Sequence, residues 1–233
     1  MNEPKMHDFP ELLPESIIQR ASRLNAALLC DGMKGMGIPM EGCMEANIMP
    51  VDVSMKVVGT AITVDTCDGD NLPIHVATYA SKPGYVMVID GKGYSGSAYF
   101  GDLIMGAANA IGIKGMIVDG YVRDREGCLQ IGMPVFAKGF MQRGPKKEKM
   151  GEINGPIRCG GIEVHPGDLV FGDADGVTVV PHEHVETVLD GAEKKLSYEE
   201  KRESAIAAYH KAMANRTEPP QLAPGWVTEM LNK

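Results

Sequence analysis

No stretch of this chain approaches the roughly 20 consecutive apolar residues that crossing a bilayer requires, so no membrane association is expected. Basic charge is also in short supply: 23 Lys and Arg stand against 31 Asp and Glu, a formal net charge of -8. A nucleic-acid surface needs clustered Lys and Arg to meet phosphates, and the one basic cluster, RGPKKEK at 143–149, is short and reads as a solvated loop. No nucleic-acid partner is expected. The five cysteines are odd in number, widely spaced and free of any C-x-x-C pair, which fits neither a disulfide framework nor a zinc knuckle. The opening MNEPKMHDFPELLPES has neither the basic nor the apolar region of a signal peptide, so a cytoplasmic location is expected. His182-Glu183-His184 lacks the H-E-x-x-H spacing of a zinc helix and follows Pro181 at an expected helix start.

What is present is globular: 44% apolar and 23% charged residues over 233 positions, enough to bury a core. One domain is expected over 1–233, with its core at about 20–185 and a C-terminal helix and tail at about 182–233. PESIIQRASRLNAALLCDGM has apolar residues at helical spacing, with Gly32 placed as a C-cap. VVGTAITVDT alternates as a strand, and GDNLPIHVATYAS reads as a turn and a helix with Pro73 in its first turn. GYVMVID is apolar on both faces, hence a central strand. A helix from about Leu103 to Ile111, the strand GMIVDG and a short helix in DREGCLQIG follow. Strands and hairpins then run through 134–181, with turns at Pro166-Gly167-Asp168 and Asp173 to Gly176. A long polar helix from about His182 to Asn215 precedes a proline-rich tail holding the only Trp, Trp226. So charged a helix points to packing on a neighbouring copy, hence to an oligomer. The sixteen methionines are scattered like core filler.

Gly91-Lys92-Gly93-Tyr94-Ser95-Gly96 spells the G-x-G-x-x-G of a dinucleotide loop, with Asp119 one strand later where a ribose hydroxyl would be met. In that fingerprint, however, the helix begins inside the motif, whereas here SAYF and Gly101 intervene, and no second mononucleotide half is visible. The helix that begins near Asp102 still offers unpaired N–H groups to a small anion such as a carboxylate.

Asp102 opens that helix, and Arg123-Asp124 lie beyond the next strand. A β-α-β crossover between them would return the chain to one sheet edge. Each Asp precedes a helix and could be an N-cap. An Asp beside an Arg in a glycine-punctuated loop at a strand end also offers an oxygen ligand for a hard divalent cation and a fixed positive charge.

GDLIMGAANAIGIKGMIVDGYVRD, with GDN at 69–71, PVFAKG at 134–139 and VHPGDLVFGDADGVTVVP at 164–181, resembles the family that unites class II 4-hydroxy-4-methyl-2-oxoglutarate/4-carboxy-4-hydroxy-2-oxoadipate aldolases with the regulator of ribonuclease activity A. The resemblance implies an α/β fold, the swivelling β/β/α sandwich, with an N-terminal helix and a long C-terminal one. It implies trimers or hexamers with active sites between subunits. It also implies a divalent metal, Mg2+ or Mn2+, held mainly by Asp124. The substrate would be a 2-oxo acid whose carboxylate meets the backbone N–H groups of Leu103 and Ile104 and whose ketone oxygen faces Arg123. Asp102 would orient or deprotonate a metal-bound water. An acidic residue from a neighbour's C-terminal helix would assist, with Glu199 first and Glu200 and Glu203 as rivals. Asn71 would line the pocket or be a turn residue, and His75 would be a packed helix residue. The chain departs from those aldolases in DGKGYSGSAYFGD, where Lys92 and Tyr94 would alter the pocket rim, and in the extended tail RTEPPQLAPGWVTEMLNK. The activity implied is retro-aldol cleavage of a 4-hydroxy-2-oxo diacid, with oxaloacetate decarboxylation on the side. The alternative is a non-enzymatic, protein-binding regulator of a ribonuclease.

Overall fold

The computed structural model describes residues 5–231, and the chain divides after Ala192 into two compact units. In the first, strand β1 (Lys5–Met6) is followed by helices α1 (Glu15–Ser22) and α2 (Ala26–Met33), strands β2 (Met49–Pro50) and β3 (Val57–Asp65) and helix α3 (Leu72–Ala80). Then come β4 (Tyr85–Asp90), β5 (Ala98–Phe100), α4 (Asp102–Ile111), β6 (Gly115–Val118), β7 (Tyr121–Val122) and α5 (Arg125–Ile131). The strand-rich part holds β8 (Val135–Ala137), β9 (Gly139–Phe140), β10 (Glu152–Ile153), β11 (Ile157–Cys159), β12 (Ile162–Val164), β13 (Leu169–Asp173) and β14 (Gly176–Val180). Helix α6 (Val185–Ala214) continues into the second unit, where α7 (Gly225–Leu231) lies within the proline-rich tail.

Parallel strands β3, β4, β6 and β8 form the middle of the main sheet, with β4 flanked by β3 and β6. Strict alternation explains the three layers. Met87 and Ile89 of β4 join Ile74, Met105 and Cys128 from α3, α4 and α5 in one core. Val86 and Val88 point the other way, into a second core with Ile157 and Val164 of the β11–β12 hairpin and Val177 and Val179 of β14. A strand buried on both faces is apolar along its length: all six residues of β4 are buried, and only its last, Asp90, is charged and paired with Lys92.

The expected first helix is two. Asn25 breaks it: its backbone is extended and its side chain accepts a hydrogen bond from the Leu28 N–H at 2.7 Å, capping α2. Gly32 lies inside α2 rather than after it. A Cβ there would sit 2.6 Å from the Val188 carbonyl oxygen, so this glycine lets α2 approach the first turns of α6. Cys30 and Cys43 are disulfide-bonded, against the expectation of no disulfide. The turn after α2 brings their Cα atoms to 6.7 Å, within the span a disulfide bridges. Cys67, Cys128 and Cys159 are free.

In the second unit, Arg202 donates to the Leu222 carbonyl at 2.9 Å and Gln221 to the Thr228 hydroxyl at 2.6 Å. Among the described residues no helix is long and apolar enough to cross a membrane.

Candidate functional site

A small sheet, β5-β7-β9, positions the acidic and basic residues singled out above. Strands β5 and β7 are parallel, with Phe100 opposite Val122, and the Arg123 N–H donates to the Phe100 carbonyl at 3.0 Å. The two chain segments therefore leave the sheet side by side, one into Gly101-Asp102 and the other into Arg123-Asp124. The crossover has two stages, because α4 and β6 carry the chain through the main sheet before β7 returns it to β5. SAYF, which separates the glycine run from the helix, is strand β5 itself.

That placement removes the nucleotide loop. Gly91 is needed because a Cβ there would meet the Tyr99 ring at 2.7 Å, and a Cβ on Gly96 would meet the Tyr94 ring. These glycines serve the loop's own packing. Asp119 is ion-paired to Lys138 at 2.5 Å and accepts from the Gly160 N–H at 3.0 Å. Lys92 does not reach the cleft rim as expected. It pairs with Asp65 and Asp90, the latter at 2.5 Å, in a separate hollow lined also by Arg158 and Glu163.

The cleft itself holds about 100 Å³ and is lined by Asn71, His75, Gly101, Leu103, Ile104, Arg123 and Asp124, with Phe100, Pro145 and Lys147. Gly101 is the N-cap of α4 and gives it no side-chain cap. The first intrahelical bond to Gly101 comes from the Met105 N–H, so the amides of Asp102, Leu103 and Ile104 precede the hydrogen-bonded ladder. Leu103 is 82% exposed, so the lip of the cleft is apolar and open. Asp124 occupies the N-cap position of α5 but makes no capping bond; its backbone is left-handed, φ 58°, and its carboxylate lies 3.2 Å from the Arg123 guanidinium Nε. Gly101 makes this possible, because a Cβ there would strike the Asp124 carboxylate and come within 2.9 Å of Arg123 Cγ. On its far side the Arg123 guanidinium would lie 3.0 Å from a Cβ on Gly144. So Asp124 is freed from capping and turned towards the cleft.

Asp102 is in the first turn of α4 but is not a lining residue. Its carboxylate faces α5, where a Cβ on Gly127 would lie 2.6 Å from it. Both Asp102 and Asp124 lie close enough to Cys128 to act on its thiol; burial first, then these two charges, push it up to about 11. Glu199 lies in the second unit, where it sits 3.9 Å from Lys195 one turn earlier.

The basic stretch 143–149 is more than a solvated loop. Buried Asp70 accepts from the Glu148 and Lys149 N–H groups at 2.8 and 3.0 Å, and the Asn71 N–H donates to the Lys146 carbonyl at 3.0 Å. Those bonds hold Lys147 at the cleft, a position that the charge cluster signalled but spacing could not assign. His75, read as a packing residue, also lines the cleft. Burial, with the charge of Lys147 added, pushes its imidazole below the ordinary value. Asn71 is 2% exposed; its side-chain N–H donates to the Tyr99 carbonyl at 2.8 Å, while its Oδ1 has no partner. His182 and His184 stay in a short turn behind Pro181, with the His182 N–H bound to Asp168 at 3.0 Å.

A divalent cation fits this site only in an open mode. Among the described residues no three or more His, Cys, Asp or Glu side chains are grouped as a protein cage. Mg2+ commonly takes one or two carboxylates and completes its shell with water and substrate. Asp124, 38% exposed at its side chain, suits that role.

A family model described as RraA-like: Aldolase/RraA matches residues 26–179. A protein of Halalkalibacterium halodurans named "Putative 4-hydroxy-4-methyl-2-oxoglutarate aldolase" is 44% identical over 164 residues, which are 70% of this chain and 78% of that protein. An uncharacterized protein of Pseudomonas syringae pv. tomato superposes with a TM-score of 0.77 at 25% identity, over 86% of this chain and 92% of that one. RraAS2 of Streptomyces coelicolor, described as an unusual member of the RNase ES inhibitor RraA protein family, has the same fold: TM-score 0.74 at 23% identity, over 82% and 98% of the two chains. With the family match spanning both halves of the cleft, from Asn71 to Lys147, the chain belongs to the RraA-like family of aldolase and RraA proteins.

Proposed function

We propose that this protein is a divalent-metal-dependent lyase that cleaves a 4-hydroxy-2-oxo diacid, such as 4-hydroxy-4-methyl-2-oxoglutarate, to pyruvate, with oxaloacetate decarboxylation as a side activity. One observation carries the reading: the unpaired amides that begin α4 and the Arg123-Asp124 pair face one small cleft. In this reading the substrate carboxylate sits on the Leu103 and Ile104 N–H groups, and Arg123 meets the adjacent ketone oxygen. Mg2+ or Mn2+ held by Asp124 would supply Lewis-acid polarisation of the 2-oxo group. Loss of the 4-hydroxyl proton lets its oxygen form a carbonyl as the C3–C4 bond breaks. That electron pair moves to the ketone oxygen, giving an enolate that takes a proton to become pyruvate. The Arg123 guanidinium is worth more to the enolate than to the ketone, and differential stabilisation of that kind lowers the barrier. Asp102, behind the cleft wall, would be the final acceptor of the 4-hydroxyl proton, reached through water as the C3–C4 bond breaks and the proton leaves its ground-state hydrogen bond. Glu199 of a neighbouring copy in a trimer or hexamer completes this proposal.

Pyruvate release from oxaloacetate and from 4-hydroxy-4-methyl-2-oxoglutarate tests it, with lactate dehydrogenase as the coupled readout. Release with Mg2+ is expected, and EDTA should abolish it. Arg123→Ala should lower kcat about 100–1,000-fold, the range for removing one oxyanion donor. No release, or release indifferent to EDTA and to Arg123→Ala, refutes the lyase. Capture of a ribonuclease unaffected by Asp124→Ala would then favour the regulator.

A further inference from the structure

We propose that Asn71 and His75 together form a binding site for the substrate's 4-hydroxyl group, so that the cleft selects 4-hydroxy-2-oxo acids over analogues that lack it. The inference rests on the reading of the cleft as a 2-oxo acid site and names what that site discriminates.

The two residues are one helical turn apart at the start of α3, joined by the His75 N–H donating to the Asn71 carbonyl at 3.1 Å. Each brings to the cleft wall a buried polar atom that has no hydrogen-bond partner: Asn71 Oδ1 and His75 Nε2. Buried polar groups are nearly always paired, so two in one small cleft point to a ligand that pairs them. The identity of the free Asn71 atom follows from its other bond. Only the amide nitrogen can donate to the Tyr99 carbonyl, so the atom left over is the oxygen, which can only accept. The imidazole, held neutral by burial and by Lys147, carries a proton on one nitrogen and can present Nε2–H as a donor.

With the imidazole proton on Nε2, a single group bridging the two atoms donates to Asn71 and accepts from His75. A carboxylate cannot donate, a ketone cannot donate, and an ammonium cannot accept; a hydroxyl does both. Within a 4-hydroxy-2-oxo diacid this singles out the 4-hydroxyl, whose oxygen becomes the new carbonyl on cleavage. A site whose buried polar atoms are left unpaired by an analogue rejects that analogue strongly.

Two ligands that differ by this hydroxyl alone, 2-oxoglutarate and 4-hydroxy-2-oxoglutarate, are titrated into the full chain by calorimetry in EDTA to prevent turnover. Wild type should bind the hydroxy acid about tenfold or more tightly than the other, and His75→Phe should bind the two alike. His75→Gln, whose amide N–H can replace Nε2–H, should recover part of the difference. In turnover with Mg2+, His75→Phe should lower kcat/KM for 4-hydroxy-4-methyl-2-oxoglutarate about 10–100-fold. Decarboxylation of oxaloacetate, which has no hydroxyl, should fall by a clearly smaller factor, so that the ratio of the two kcat/KM values shifts against the hydroxy acid. Equal affinity of wild type for the two acids, discrimination retained in His75→Phe, or equal losses on both turnover substrates overturns the hydroxyl site. Absence of oxaloacetate decarboxylation by wild type instead removes the 2-oxo acid reading beneath it.

Discussion

Asp124 holds a left-handed backbone that costs most side chains roughly 1–2 kcal/mol. Asp and Asn tolerate that region best, so Asp124→Asn is expected to keep its thermal midpoint within about 2 °C while losing Mg2+-dependent turnover; a large fall in the midpoint would show that the carboxylate supports the fold. Its ion pair with Arg123 supplies little stability, because both side chains are about 40% exposed and water screens them. Gly101→Ala tests the same carboxylate from the other side. The added methyl collides with Asp124, and turnover should fall at least about 100-fold, as for loss of one transition-state contact, with the circular dichroism spectrum unchanged. At His75 the linkage runs towards acid. Its folded-state pKa is depressed, so the unfolded chain takes up a proton first, and stability falls as pH drops from about 6.5 towards the folded value. Urea midpoints at pH 7.5 and 5.5 should differ less in His75→Gln than in wild type; an unchanged difference would assign the slope elsewhere.

The helices and central strands are legible in the chain wherever one rule governs them. Periodicity finds α3, α4 and β4, whose apolar faces are buried as the pattern demands. Where a side chain competes with the backbone the pattern misleads, as at Asn25, whose cap splits one expected helix into α1 and α2. The two- and three-residue strands β5, β7 and β9 have too few residues to show a period, yet their pairing sets the cleft. The disulfide was equally invisible, because spacing says nothing of which turns meet. Closing its loop of about a dozen residues should add about 3 kcal/mol on the chain-entropy account. Thiol titration of the denatured, unreduced protein should count three free thiols, and dithiothreitol should lower the urea midpoint; five thiols would remove the bridge.

At the scale of the molecule, both hydrophobic cores and every cleft residue lie in the unit that ends at Ala192. A chain truncated after that residue should therefore still unfold in one cooperative transition. The first two turns of α6 must be kept, since Val185, Val188, Leu189 and Ala192 are buried. If Glu199 of a neighbouring copy takes part in cleavage, the truncated chain should bind 2-oxoglutarate like wild type but turn over 4-hydroxy-4-methyl-2-oxoglutarate at least tenfold more slowly. Equal turnover would exclude Glu199, Glu200 and Glu203 together.

The sequence alone supplied the candidate residues: Asp102, the Leu103 and Ile104 amides, Arg123 and Asp124 stand in one short motif, and charge and donor chemistry belong to the residue. Which of them share a cleft was decided by tertiary structure. Parallel pairing of β5 with β7 brings positions 101 and 124 together, Gly101 makes room for the carboxylate, and Asp70 ties down the backbone just after Lys147, which lines the cleft. Turning Asp102 towards α5, and His75 from packing residue into cleft wall, depends on contacts between segments far apart in the chain. No local pattern encodes such contacts, because they form only when the sheet and its helices close on one another.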